Sequence, residues 1–190
     1  MLTAWRKTNA RRAARAARAA AYAKDPDAGR RLVEHFPDSL WPNVRQVVAG
    51  YAAIGDEIDP QTLLETFALE QARIALPCVV EKDQPLIFRS WALDAPLEPG
   101  PFGTREPAAS SSELTPSLVL VPLVGFDLKG RRLGYGGGFY DRTLEKLKQS
   151  GPLTVVGLAY EAQKLARVPA EAHDMRLDWI VTEQGAYQAY

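Results

Sequence analysis

The chain has 190 residues, of which 46% are hydrophobic, enough for one buried core and a single domain. No window approaches 18 consecutive apolar residues and no apolar segment opens the chain, which argues against a membrane span or a secretory signal and leads to the expectation of a cytoplasmic protein. Basic and acidic residues balance at 23 each, yet residues 1–24 hold seven basic side chains and no acid, leaving 16 basic against 23 acidic residues in the remainder.

That basic head is rich in alanine, and "ARRAARAARAAAYAK" is a strong helix former by intrinsic propensity. At about 100° per residue, Lys7, Arg11, Arg15 and Arg18 fall within an arc of roughly 80°, a basic stripe suited to a polyanion. Several readings of it stay open. A solvated charged face accounts for Arg15 and Arg18. A mitochondrial transit peptide is also Arg-rich and acid-poor, but usually carries more serine and a more apolar opposite face. Nucleic-acid binding would use the same charges, against which the rest of the chain is acidic and lacks an RNA-binding aromatic motif. The remaining reading is an arm, residues 1–24, that belongs to the same domain as an α/β catalytic portion, residues 25–190, and folds over a nucleoside triphosphate bound there.

Further along, "DSLWPNVRQVVAGYAAI" predicts a short helix entering a strand. In "IDPQTLLETFALEQA", Asp59 is the expected N-cap and Pro60 the first helical residue, with Leu63, Leu64, Phe67 and Leu69 on the apolar side. Strands are expected at "RIALPCVV", where Cys78 reads as a packed core thiol, and at "PLIFRSW". Residues 94–117 are rich in Pro, Gly and Ser and read as a loop, long enough to be functional. "LVLVPLVGF" is a buried-strand candidate. The turn "DLKG", a glycine segment, a helix through "YDRTLEKLKQ" and strands at "LTVVGLAY" and "DWIVTE" complete the chain. Strands alternating with helices give an α/β class with a mostly parallel sheet.

The glycine segment, "RRLGYGGGFYDRTL", places Gly134, Gly136, Gly137 and Gly138 between a strand and a helix. Glycines there let backbone N–H groups converge on an anion at a helix N-terminus, where side chains would obstruct it. Arg131 and Arg132 add charge. Asp141, in the first helical turn, is positioned to cap the helix or to hold a Mg²⁺ that bridges phosphates. A dinucleotide fingerprint would need glycine where Phe139 stands, and a Walker A motif would need Gly-Lys followed by Ser or Thr, which is absent.

"VPLVGFDLKGRRLGYGGGFYDRTL" resembles the signature of the 5-formyltetrahydrofolate cyclo-ligases, also called 5,10-methenyltetrahydrofolate synthetases. The likeness continues in order through Lys7 and Arg11, "YAAIGDEID", "RIALPCV", "PFGTREP" and "VPAEAHDMRLDWIVTE". The resemblance implies a monomeric α/β protein with its sheet sandwiched by helices, using ATP and Mg²⁺ to cyclise 5-formyltetrahydrofolate to 5,10-methenyltetrahydrofolate, with no nucleic-acid or membrane partner. It implies ATP contacts from Lys7, Arg11 and the loop of Arg132, Leu133, Gly134, Tyr135, Gly136, Gly137, Gly138, Phe139 and Tyr140. Ala52 and Glu57, with residues Tyr135 to Phe139, would border the reduced folate, and Asp141 and Asp174 would hold Mg²⁺. Lys7, Arg132 and Tyr140 would act in the chemistry, with His173 a polar neighbour of Asp174. Two positions depart from the family pattern: Phe139 stands where a second tyrosine is usual, and Ala10 where a leucine often precedes the arginine. Glu57 as a surface acid, Asp174 as a cap and Tyr140 as a packing residue are the bland alternatives. A reduced-folate or nucleotide binder without turnover, and a sugar-phosphate or CoA enzyme of similar architecture, are the rival functions.

Overall fold

The computed structural model describes residues 2–169 and 174–190, so His173 and its immediate upstream neighbours lie outside the described residues. In chain order the elements are α1 (Leu2–Lys24), α2 (Leu32–His35), β1 (Val47–Ala49), α3 (Gln61–Leu69), β2 (Arg73–Cys78) and β3 (Ile87–Ser90). They continue with β4 (Glu98–Pro99), β5 (Arg105–Glu106), β6 (Leu118–Pro122), β7 (Gly125–Phe126), β8 (Arg132–Leu133), α4 (Phe139–Ser150), β9 (Thr154–Leu158), β10 (Trp179–Thr182) and β11 (Gly185–Gln188).

Seven strands form one sheet in the order β11-β10-β9-β6-β1-β2-β3. The inner pairs are parallel, and the edge strands β3 and β11 run antiparallel to their neighbours. Strand β6 shows why both faces need covering. Leu118 and Leu120 point into a core shared with Leu32, Phe36, Leu63, Leu64 and Phe67 of the α2 and α3 side. Val119 and Val121 point the other way, into a core shared with Leu144 of α4. An apolar run without polar alternation is therefore what a strand buried on both faces requires. Each fully buried leucine contributes about 1.5–3 kcal/mol relative to exposure.

From β1 the chain adds β2 on one side, then crosses to β6 and continues outward through β9 and β10. Sheet growth thus reverses direction at the β1/β6 boundary, and ligands of open α/β sheets collect beyond the carboxyl ends of the strands at such a reversal.

Several expectations are corrected in detail. "LVLVPLVGF" is two strands, because the chain leaves the sheet after Pro122 and the buried Gln163 amide donates to the carbonyls of Leu123 and Val124, at 2.6 and 3.0 Å, in place of a sheet partner. Helix α3 begins at Gln61 with Pro60 as its N-cap, while Asp59 acts one position earlier by accepting the Gln61 N–H at 3.0 Å. Leu69, expected on the apolar side, closes the helix and is 80% exposed. The loop over 94–117 contains the β4/β5 hairpin, and "DWIVTE" is followed by one more strand, β11. Cys78 is buried, and desolvation pushes its thiol pKa up to about 11, which suits an inert core thiol.

Candidate active site

A cavity of about 880 Å³ opens at the carboxyl ends of β1, β2 and β6, where Tyr51, Pro77 and Val121 form its floor. Its size is that of a small-molecule site. Its walls come from α1, the segment after β1 that carries Ala52 and Glu57, the β2–β3 connection, the β4/β5 hairpin, the glycine loop with the start of α4, and Asp174. The sequence-expected residues Lys7, Arg11, Ala52, Glu57, Asp141, Asp174 and the run from Arg132 to Tyr140 all line this one cavity.

The glycine loop follows β8, which belongs to the two-stranded β7/β8 hairpin and not to the main sheet. Asp127 builds that hairpin by accepting the N–H groups of Lys129 and Arg131 at 3.0 and 3.2 Å, and Gly130 turns it at φ 72°. The loop then runs through Gly136 at φ 101° and Gly138 at φ 66°, backbone that side chains rarely adopt. Arginines hold two of its carbonyls. Arg11 Nε donates to Gly134 O at 2.9 Å, and Arg142 Nη2 donates to Gly137 O at 2.8 Å. The N–H groups of residues 134–138 donate to no acceptor among the described residues. A Cβ built on Gly134 meets no atom within 4 Å, so packing alone does not require glycine there.

At the α1 end of the cavity the charges alternate. Lys7 Nζ donates to Asp174 Oδ2 at 2.8 Å, and Arg132 Nη2 donates to Asp141 Oδ1 at 2.5 Å. Asp141 Oδ1 also accepts the Met175 N–H at 3.1 Å, and Arg132 donates to the Met175 carbonyl, which draws the Asp174 segment to α4. Arg132 is buried, and desolvation lowers its pKa against the opposing pull of Asp141 and Asp174. The two carboxylates beside the glycine loop are hard oxygen donors, the type Mg²⁺ takes together with ligand oxygens and water. Among the described residues no cluster of three or more His, Cys, Asp or Glu could hold a metal alone, so these carboxylates fit a cation shared with a ligand.

The opposite end is a buried hydrogen-bonded group. Glu57 is 5% exposed; its Oε2 accepts the Ile54 N–H at 2.9 Å and its Oε1 accepts the Tyr135 hydroxyl. Arg18 Nη1 donates to the same hydroxyl oxygen at 2.6 Å, and Arg18 Nη2 donates to Asp56 Oδ1 at 2.6 Å. Burial pushes the Glu57 pKa up, while the Tyr135 hydrogen bond, the Ile54 N–H and the Arg18 charge pull it down. Tyr140 stays a neutral phenol, because burial and then the Glu57 charge raise its pKa.

Arg18 departs from the solvated face expected of it, since it is 5% exposed, whereas Arg15 is exposed with its guanidinium carbon 5.4 Å from the Tyr135 ring centroid. The loop of residues 94–117 supplies site residues that were assigned no role from sequence. Phe102, at φ 59°, brings its ring 5.8 Å from that of Phe139, and Thr104 and Arg105 follow it on the cavity wall. "PFGTREP" was the available signal, but nothing in its composition separates a wall from a turn.

An α/β sheet with a cavity at its topological reversal, walled by a glycine loop with open amides and by paired charges, defines an α/β protein with a small-molecule site. The chain belongs to the 5-formyltetrahydrofolate cyclo-ligase family, whose model matches residues 4–183. A 5-formyltetrahydrofolate cyclo-ligase of Haemophilus influenzae is 31% identical over 151 residues, covering 77% of this chain and 80% of the relative. One from Mycolicibacterium smegmatis is 33% identical over 148 residues, covering 72% and 73%. The fold matches that of Aquifex aeolicus 5,10-methenyltetrahydrofolate synthetase with a TM-score of 0.74 at 24% identity, over 96% of this chain and 92% of that one. Among the described residues no helix is long and apolar enough to cross a membrane.

Proposed function

We propose that this protein converts 5-formyltetrahydrofolate to 5,10-methenyltetrahydrofolate with ATP as co-substrate and Mg²⁺ as cofactor. The carrying observation is the arrangement of the cavity: a loop whose carbonyls are held by Arg11 and Arg142 while its amides have no described acceptor, next to Lys7, Asp174, Arg132 and Asp141. The triphosphate occupies that end. The folate ring occupies the other, between Ala52, Glu57, Tyr135 and the Phe102/Phe139 pair.

The chemistry follows from the poor leaving group on an amide-like formyl carbon. Its oxygen attacks the γ-phosphorus, the bond to ADP breaks, and an iminium phosphate forms. N10 then adds to the same carbon, loses its proton, and inorganic phosphate departs with the oxygen. The nucleophiles belong to the substrates, so the protein contributes alignment and charge neutralisation. Lys7 and Arg132 neutralise phosphate charge. Asp141 and Asp174 would hold Mg²⁺, which would supply positive charge against the phosphate oxygens. The neutral Tyr140 hydroxyl, in the first turn of α4, donates to developing negative charge. No cysteine or histidine nucleophile is required, in keeping with Cys78 in the core.

Purified protein mixed with 5-formyltetrahydrofolate, ATP and Mg²⁺ is expected to produce the methenyl chromophore, and omission of ATP is expected to abolish it. Folded protein that binds both compounds without developing the chromophore would instead identify a binding protein.

A further inference from the structure

Arg18 lies on α1 behind the site, not on the cavity wall, and yet is one of the most buried charged side chains of the described chain, at 5% exposed. Its fork joins three groups. Nη1 donates to the Tyr135 hydroxyl at 2.6 Å, Nη2 donates to Asp56 at 2.6 Å, and Nη1 stands 4.0 Å from Glu57 Oε1. Because that hydroxyl oxygen accepts from Arg18, its own proton goes to Glu57 Oε1. The direction of the Tyr135 hydrogen bond is thus imposed from α1. A lysine has no planar fork and cannot span the same two acceptors in fixed geometry.

We propose that Arg18 is a positioning residue for the folate end of the site, fixing the Tyr135 hydroxyl and the Glu57 carboxylate in the arrangement that receives the substrate ring. The inference rests on the proposed function, in which Glu57 and Tyr135 border the folate. It assigns the basic stripe of α1 two tasks: Lys7 and Arg11 serve the phosphate end, and Arg18, two to three turns further on, serves the ring end.

The charges around Glu57 determine what its loss does. Facing Glu57 are Arg18 from α1, Asp56 beside it, Tyr51 after β1, Tyr135 of the loop and Tyr140 of α4. Arg18 is the cation among them, and burial already pushes the carboxyl pKa up. Without Arg18 the pKa rises further, so Glu57 takes up a proton at a higher pH and stops accepting hydrogen bonds from the ring. The KM for folate then rises as pH falls, and recovers as pH rises through the new value.

The test is steady-state kinetics of Arg18→Met, Arg18→Lys and Asp56→Asn across pH, with the KM for 5-formyltetrahydrofolate and for ATP measured separately. Arg18→Met is expected to raise the folate KM about tenfold at neutral pH, the size of one charge-assisted hydrogen bond. The ATP KM should stay within about twofold, and the folate pH profile should shift upward. Arg18→Lys should restore most of the pH profile while leaving part of the KM defect. Asp56→Asn should raise the folate KM less than Arg18→Met does and, because it removes a charge that raises the Glu57 pKa, should shift the folate pH profile downward. In Arg18→Met, equal losses for both substrates or an unmoved pH profile would overturn the proposal. If Arg18→Met does not fold, the substrate criterion is read from Arg18→Lys, where equal losses for both substrates overturn it, and the pH criterion from Asp56→Asn, where a folate profile that does not move downward overturns it. Failure of the underlying function is a separate result, since the unmodified protein would then form no methenyl product.

Discussion

Where Lys7 meets Asp174 and Arg132 meets Asp141, cations and carboxylates alternate as ion pairs of 2.8 and 2.5 Å on the cavity wall. At the far end Glu57, Tyr135 and Arg18 form a buried, mutually hydrogen-bonded set. The first region is electrostatically self-balanced, so on the proposed function a triphosphate would enter by exchange against existing ion-pair partners. The second is set in advance and has little to rearrange. The proposed function therefore predicts that nucleotide affinity depends on charge and ring affinity on buried geometry.

The contrast breaks most sharply at its charged end. Asp141→Ala or Lys7→Ala is expected to lower kcat/KM about 10²- to 10³-fold, measured by methenyl formation, the usual size of one lost transition-state charge contact. Gly134→Val is the next effect and the cleaner one. Its Cβ would meet no protein atom within 4 Å, so the melting temperature should hold while ATP affinity, followed by calorimetry, falls at least about tenfold. Retained affinity would mean that the loop does not cradle phosphate. At the ring end, Phe102→Ala should raise the folate KM about two- to tenfold and leave kcat unchanged, the size of one aromatic contact.

The smallest effect concerns stability. Glu57 has a pKa raised in the fold above its ordinary value of 4.5, so the folded state binds the proton more tightly than the unfolded one. Its contribution is present below that ordinary value and is lost as pH rises through the raised value. Melting curves of the unmodified protein and Glu57→Gln should therefore draw apart in favour of the variant as pH rises across this window. A gap independent of pH would show that Glu57 is ionised with an ordinary pKa.

The α/β class, the mostly parallel sheet, the basic helix and the glycine loop before α4 were legible in the sequence because their signals are local: apolar runs, alanine propensity, and glycines packed before a helix. Lys7, Arg132, Asp141 and Asp174 come together as the likeness to the family implied. The ring end was less legible. Arg15 and Arg18 carry the same charge on the same stripe, and nothing in the residues tells which one turns inward, since that depends on where Tyr135 and Asp56 arrive from distant segments. Leu69 misled because helix periodicity does not say where the helix stops, and β11 was missed because "GAYQ" is short and only half buried. Phe102 owes its place to a left-handed backbone conformation, which its sequence does not announce.

Helix α1 joins the cavity through partners far along the chain: Arg18 reaches Tyr135 across 117 residues, Arg11 reaches Gly134 across 123, and Lys7 reaches Asp174 across 167. Closing those clasps spans loops of more than a hundred residues, which places them among the slow contacts of folding. Because one helix clasps both ends of the cavity, a local opening of α1 would loosen both together while leaving the sheet in place.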